Sequence, residues 1–278
     1  MSDQLWQRRT PEGHAFIERV AEDPAGTLLA FDFDGTLAHI VPDPEDSRLA
    51  PSVAAALERL DGVVGRIAIV TGRPVATVER LVRPASQPGL RRAIVLGQYG
   101  IERWDVATDE RRDPPVPEQV VVARAELERA LAAWPGATLE DKGRAVAAHT
   151  RRADDPVGAF EGLREPVAEI ARRHGLVVEP GKLVWELRST TVDKGDALRE
   201  LVAELRPTRV LMAGDDLGDL PAFEALDELR RDGITTCALV SGSVEQTEVA
   251  ERADVLCDGP DGVAAWLEML AARLRAAP

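Results

Sequence analysis

Short continuous apolar runs recur along the chain, each closed by glycine, aspartate or threonine. In the clearest of them Leu28, Leu29, Ala30, Phe31 and Phe33 run up to and between Asp32 and Asp34, and Gly35 and Thr36 follow at once. A run of this kind, bounded by a turn signal, predicts a buried parallel strand. Further strands are predicted at Arg66 to Val70, Ala93 to Leu96, Arg209 to Ala213, Thr235 to Val240 and Ala253 to Cys257. Between them, helices are predicted over Ser52 to Leu60, with Ser52 as cap, Ala76 to Val82, Asp193 to Leu205, Pro221 to Leu229 and Gly262 to Arg275. In the last, Val263, Trp266, Leu267 and Leu270 recur at helical spacing and predict a core-facing stripe. Residues 4–22 predict a leading helix interrupted by Pro11 and Gly13. Strands alternating with helices give an α/β fold with a doubly wound, Rossmann-like parallel sheet.

Near Trp104 the pattern changes. The stretch Asp105 to Pro117 is charged and proline-rich, which marks a domain boundary. From there to Arg188 the chain reads helix, two strands, helix, two strands. The helices are Val120 to Trp134 and Val157 to His174, the latter containing Pro166. The strands are Thr138 to Asp141, Ala145 to Arg151, Leu176 to Glu179 and Leu183 to Arg188. Pro180-Gly181 suits the centre of a type II turn between the last two. The organisation expected is residues 1–104 as the first part of the core, 105–189 as an inserted, smaller α/β cap, and 190–278 as the second part of the core.

Composition narrows the class. A chain of 278 residues can bury a full core and form two domains. Aromatic residues are 4% with a single tyrosine, so the core must be aliphatic. The net charge of −14 argues against nucleic acid or an anionic membrane as partner, and requires a locally positive site for any anionic substrate. Cys237 and Cys257 have no metal-ligand spacing and lie in apolar runs, so buried thiols in a reducing cytoplasm are expected rather than a bridge. The first twenty residues lack an apolar run of signal-peptide length, and nowhere do eighteen apolar residues run together, so no membrane span is expected.

Candidate chemistry collects at the strand ends, where open parallel sheets bind ligands. Period-2 geometry points Asp32 and Asp34 the same way while the strand lasts. Two carboxylates so close repel unless a cation or shared proton relieves them, and Mg²⁺ with oxygen ligands is the economical answer. The second strand ends in Thr71-Gly72-Arg73, whose hydroxyl and unencumbered N–H groups suit phosphate oxygens, although Thr-Gly after a strand is also an ordinary turn. Lys194 opens a helix, where a lysine is commonly a solvated surface charge. Gly214-Asp215-Asp216-Leu217-Gly218-Asp219 puts three carboxylates behind one strand, a costly arrangement unless a cation is bound or the loop caps the next helix. The polar loop His39 to Pro51 either touches a ligand or is a linker.

Asp32, Asp34, Thr71, Lys194 and Asp215, in this order, resemble the motifs of the haloacid dehalogenase superfamily. The resemblance implies that Asp32 attacks phosphorus to form an aspartyl-phosphate and that Asp34 acts as general acid and base. It implies that Thr71 and Lys194 bind phosphoryl oxygens, with Gly72 and Arg73 among the substrate-binding residues. Mg²⁺ would be held by the Asp32 and Asp215 side chains and the Asp34 carbonyl. Asp216 and Asp219 would support through water or by orienting Lys194.

The whole chain, moreover, is similar to the trehalose-6-phosphate phosphatases. The resemblance lies in Ile94 to Arg103, Leu139 to Arg151 and Val177 to Arg188, the last ending just before Asp193-Lys194-Gly195. Glu140 and Lys142 are two apart on a strand and share a face, and Lys182 and Glu186 are expected to share one also. Carboxylates accepting from hydroxyls, with cations near a phosphate, suit a phosphorylated sugar, although exposed charges on a half-buried sheet look the same. The resemblance implies that Glu140, Lys142, Arg151, Lys182 and Glu186 grip the substrate under a closing cap. His149 is either a ligand or a strand histidine partnered elsewhere. Gly218 and Leu220 stand where relatives have Thr and Glu, Thr150 where Tyr is common, and Gly-Gln-Tyr-Gly where Gly-Ser-His-Gly is usual. The expected protein is a monomeric, cytoplasmic, Mg²⁺-dependent hydrolase of trehalose 6-phosphate in trehalose biosynthesis. The rivals are a capped phosphatase for sucrose phosphate or a glycosylglycerate phosphate, a signalling receiver domain, and an inactive homologue that binds a partner.

Overall fold

The run at Leu28 forms the strand Thr27–Phe31, buried throughout. Its side chains alternate: Leu29 and Phe31 enter one apolar cluster, Leu28 and Ala30 another on the opposite face. Both faces of the sheet are therefore covered, as a parallel strand requires. In the computed structural model, which describes residues 5–242 and 247–276, the chain divides into two units: residues 1–113 with 192–278, and residues 114–191.

The larger unit is a nine-stranded sheet in the order Trp6–Arg8, Val255–Asp258, Thr235–Gly242, Arg209–Gly214, Thr27–Phe31, Arg66–Val70, Ile94–Gly97, Glu102–Asp105, Glu110–Arg112. The six strands from Val255–Asp258 to Ile94–Gly97 are mutually parallel, and the flanking strands pair antiparallel. Helices Pro11–Glu22, Pro51–Leu60, Val75–Val82 and Gly259–Arg275 pack with the Phe31 side, Lys194–Leu205 and Leu220–Arg231 with the Ala30 side. This is a doubly wound α/β core, with helices on both faces of a mainly parallel sheet.

The smaller unit is an antiparallel sheet in the order Thr138–Asp141, Ala145–His149, Val184–Arg188, Val177–Gly181, backed by helices Glu118–Leu131 and Pro156–His174. One face of it, with Leu139, Val146, Ala148, Trp185, Leu187 and Val178, joins the helices in a third apolar cluster. Pro166 lies within the second helix.

Four local expectations differ. The leading segment is a strand, Trp6–Arg8, then a helix that Pro11 starts rather than interrupts: Pro11 occupies its first turn behind the cap Thr10, whose side chain accepts from the Gly13 N–H. (Gln4 lies outside the described residues.) Ser52 is no cap; Ala50 holds that position, and Ser52 Oγ donates to Asp261 at 2.9 Å. The unit boundary falls after Asp113, not Trp104, because the charged segment Glu110–Arg112 pairs with Glu102–Asp105 as an edge strand. Pro180 and Gly181 belong to a strand, paired with Trp185 and Val184, and the turn is Lys182-Leu183, with Leu183 at φ +60°. Lys182 is therefore not on a strand face with Glu186. Cys237 and Cys257 are free and buried, and burial raises both thiols above their ordinary range.

Candidate active site

The strand Thr27–Phe31 stops one residue before Asp32, whose N–H donates to the Ala213 carbonyl of the neighbouring strand at 2.8 Å. The chain then turns sharply: the Leu37 and Ala38 N–H groups both donate to the Phe33 carbonyl at 2.9 Å. Asp32 and Asp34 are thus not successive positions of one strand, and they have different partners. Gly35 at φ +77° makes the turn possible, and it is also a packing requirement. A Cβ there would lie 2.1 Å from Asp215 Oδ2.

Asp32 is buried and lies 2.8 Å from Lys194 Nζ, through Oδ1. Lys194 is equally buried and donates to Asp219 Oδ1 at 2.7 Å. A capping box, Asp193 with Asp196, starts the helix at Lys194 and so fixes the stem of that side chain. Asp219 Oδ2 accepts the N–H groups of Asp215 and Asp216 at 2.8 and 3.1 Å. Both oxygens of Asp219 are therefore occupied, and it orients Lys194 and its own loop. Asp216 accepts from the Gly218 N–H at 2.9 Å and caps the turn.

Among the described residues, carboxylate oxygens of Asp32, Asp215 and Asp219 lie within 4.8 Å of one another. Burial, then the charges of Asp32, Asp219 and Asp216, push the Asp215 carboxyl up to about 9. Burial also raises Asp32 well above the usual range, against the pull of Lys194. For Lys194, burial favours the neutral amine, but Asp219 and Asp32 outweigh it and hold the ammonium firmly charged. Asp215 Oδ1 is buried and accepts no hydrogen bond among the described residues. An orphaned carboxylate oxygen beside a second carboxylate fits a hard dication that takes oxygen ligands.

The second strand delivers Thr71, buried, with Gly72 and Arg73. The segment Gly97 to Gly100 braces this turn. The N–H of Gln98 donates to the Arg73 carbonyl, its Nε2 to the Gly72 carbonyl, and the Tyr99 N–H to the Thr71 carbonyl, at 3.0, 3.1 and 3.0 Å. Gln98 and Tyr99 adopt φ of +48° and +60° to do so. Such left-handed residues cost on the order of 1–2 kcal/mol each unless glycine. Gly72 leaves room for the brace, since a Cβ would meet the Tyr99 hydroxyl at 2.8 Å. Arg73 faces Asp34 rather than open solvent: Nε to Oδ2 2.6 Å and Nη2 to Oδ1 2.8 Å.

In the smaller unit, register places Glu140, Ala147, Glu186 and Glu179 in one row across the sheet, on the face away from the helices. Lys142 Nζ lies 2.5 Å from Glu186 and 4.0 Å from Glu140, and His149 Nε2 lies 2.8 Å from Glu140. Arg188, buried on the same face, pairs with Glu179. Glu186 Oε1 is buried with no hydrogen-bond partner among the described residues. Lys182 and Arg151 sit in turns at one end of the sheet, joined where the Thr150 N–H donates to the Leu183 carbonyl at 2.9 Å. Sequence reasoning did not single out Glu179, Arg188, Ser47 or Gln98. For Glu179 and Arg188 the period-2 spacing with Glu186 was an available signal.

A family model described as trehalose-phosphatase matches residues 30–257. A "Probable trehalose-phosphate phosphatase" of Sinorhizobium fredii is 32% identical over 222 residues, 78% of this chain and 80% of that protein. The trehalose-phosphate phosphatase of Mycobacterium tuberculosis is 33% identical over 93% of this chain, which spans 64% of the mycobacterial protein's length. The C-terminal domain of C. albicans trehalose-6-phosphate phosphatase superposes with a TM-score of 0.77 at 22% identity, covering 96% of this chain and 98% of that one, a likeness of fold.

Proposed function

The chain belongs to the trehalose-phosphatase family, and we propose that it hydrolyses trehalose 6-phosphate to trehalose and phosphate with Asp32 as nucleophile. The observation that carries this reading is the buried Asp32–Lys194–Asp219 chain beside the orphaned oxygen of Asp215. In a chain of net charge −14 this is a place where a fixed, buried cation meets a carboxylate at the end of a parallel strand.

An Asp32 carboxylate oxygen attacks phosphorus, the bond from phosphorus to the sugar oxygen breaks, and Asp34 gives that oxygen a proton. Water then attacks the aspartyl-phosphate, its proton passes to Asp34, and the electron pair of the broken bond returns to Asp32. Lys194 and the Thr71 hydroxyl with the Gly72 backbone take the phosphoryl oxygens. A Mg²⁺ ion held by the Asp32 and Asp215 carboxylates and the Asp34 carbonyl would supply neutralisation of phosphoryl charge. In the smaller unit, Glu140, Lys142 and Glu186, with Arg151 and Lys182 at the sheet end, recognise the sugar. Carboxylates and ammonium groups prearranged on one face suit hydroxyls that both donate and accept. The reading makes the protein a cytoplasmic monomer, in keeping with two reduced, buried thiols.

The test is phosphate release by the purified chain, with Mg²⁺ and with chelator, from trehalose 6-phosphate, sucrose 6-phosphate, glucose 6-phosphate and p-nitrophenyl phosphate. Preference for trehalose 6-phosphate that vanishes with chelator is expected. Mg²⁺-dependent turnover of another sugar phosphate would discard the sugar assignment and keep the core chemistry. Full activity of Asp32→Asn would discard the nucleophile.

A further inference from the structure

The loop after Ala38 supplies a side chain to the reacting carboxylates. Its short turn Pro44–Asp46 is capped by Asp43, which accepts from the Glu45 N–H at 3.0 Å, and the Ala50 N–H closes the loop on the Leu37 carbonyl at 2.9 Å. Between these anchors Ser47 is fully buried, and its hydroxyl donates to Asp34 Oδ1 at 2.9 Å. Asp34 thus receives three hydrogen bonds, one from Ser47 and two from Arg73, while its side chain keeps 40% of its surface open. Arg73 is itself fixed, its carbonyl held by the Gln98 N–H and its guanidinium 5.6 Å over the Phe33 ring.

We propose that Ser47 and Arg73 are positioning residues that hold Asp34 as the acceptor for the proton of the hydrolytic water. All three contacts are donated to Asp34, so its carboxylate is held in one plane by donors on both oxygens. The bidentate fork engages both oxygens and fixes the carboxylate plane, and Ser47 adds a second bond to Oδ1, which leaves Oδ2 the less occupied oxygen. The step served is the second one: water attacks phosphorus, the bond from phosphorus to Asp32 breaks, the electron pair returns to Asp32, and the proton goes to Asp34. This rests on the phosphatase reading above.

The experiment uses p-nitrophenyl phosphate, whose leaving group departs without a proton, so that Asp34 is needed only for the second step. In Ser47→Ala, steady-state kcat is expected to fall about tenfold, a fraction of the 10²–10⁴-fold that general acid–base catalysis supplies. kcat/KM stays within about twofold, because it reports the first irreversible step. A burst of p-nitrophenolate approaching one equivalent accompanies this, with phosphoenzyme trapped on acid quench. Arg73→Lys, which keeps the charge and loses the fork, shows the same split. Equal losses in kcat and kcat/KM without a burst, an unchanged kcat, or faster turnover in Ser47→Ala would each overturn the proposal. A raised KM for Arg73→Lys without phosphoenzyme would assign its guanidinium to the phosphate and overturn its share. A wild-type chain that releases phosphate from no ester overturns the phosphatase reading itself, a different result from an active wild type with no split.

Discussion

Asp219 holds Lys194 by a fully buried ion pair of 2.7 Å, and that pair sets the ammonium 2.8 Å from Asp32. Lys194 is the buried cation against the carboxylates of Asp32 and Asp219. Removing Asp219 leaves Lys194 with Asp32 alone and strips the Asp215 and Asp216 N–H groups of their acceptor, and breaking a buried pair costs about 3–5 kcal/mol. Asp219→Ala is expected to lose stability of that order in urea unfolding. It should also lower kcat by about 10–100-fold, as loss of a supporting partner does. A variant with wild-type kcat would show that Lys194 needs no orienting partner.

The raised Asp215 carboxyl gives the site a pH signature. Its folded value, about 9, lies above its ordinary 3.8, so in the metal-free chain it contributes stability complete below pH 3.8 and lost as pH rises through 9. A dication must displace that proton before it binds. The rise in melting temperature on adding Mg²⁺ is therefore expected to grow between pH 6 and pH 9 and to level off above. Asp215→Asn should abolish the rise. A Mg²⁺ shift independent of pH across that window would contradict the assignment of Asp215 as a ligand.

Gly35 is a steric test of the same carboxylate. Any Cβ at this position would strike Asp215 Oδ2 while the backbone holds φ +77°. Gly35→Ala is expected to remove phosphatase activity and the Mg²⁺-induced melting shift together. The two should be lost in parallel, because one displaced side chain underlies both.

The polar face of the smaller unit predicts selectivity. Glu186→Gln keeps the shape and removes the charge that pairs with Lys142 at 2.5 Å. It should raise KM for trehalose 6-phosphate about tenfold, the loss of roughly one charged hydrogen bond, and affect p-nitrophenyl phosphate far less. Equal losses on both substrates would point to a folding role for the Lys142–Glu186 pair.

The candidates Asp32, Thr71 and Asp215 were legible in the sequence because each stands behind an apolar run, whereas Lys194 opens a helix and stood out only by its order among them. Leu28 to Phe31, Arg66 to Val70 and Arg209 to Ala213 fall on observed strands, and the polar residues behind them were already the candidates. Ser47 was not readable: it sits in a polar loop with no periodicity, and its importance comes from one contact thirteen residues back along the chain. The edge strand Glu110–Arg112 was hidden because it is exposed and charged. Lys182 was misplaced because Pro180-Gly181 has turn chemistry yet pairs as strand. Arg73 was legible as a neighbour of Thr71-Gly72, whereas its pairing with Asp34 became visible only with the fold.

The strand that carries Asp215 lies directly beside the one that leads to Asp32, although residues 114–191 separate them in the chain. During synthesis the first strand must wait, with one edge bare, until Arg209–Gly214 has emerged. The smaller unit is complete before then and can fold in the interval, since its contacts are drawn from its own contiguous segment. The ribosome thus delivers the whole smaller unit, with its Glu140–Glu186 face, before the carboxylate of Asp215. No incomplete chain ending before Asp215 can turn over a phosphate ester by this route.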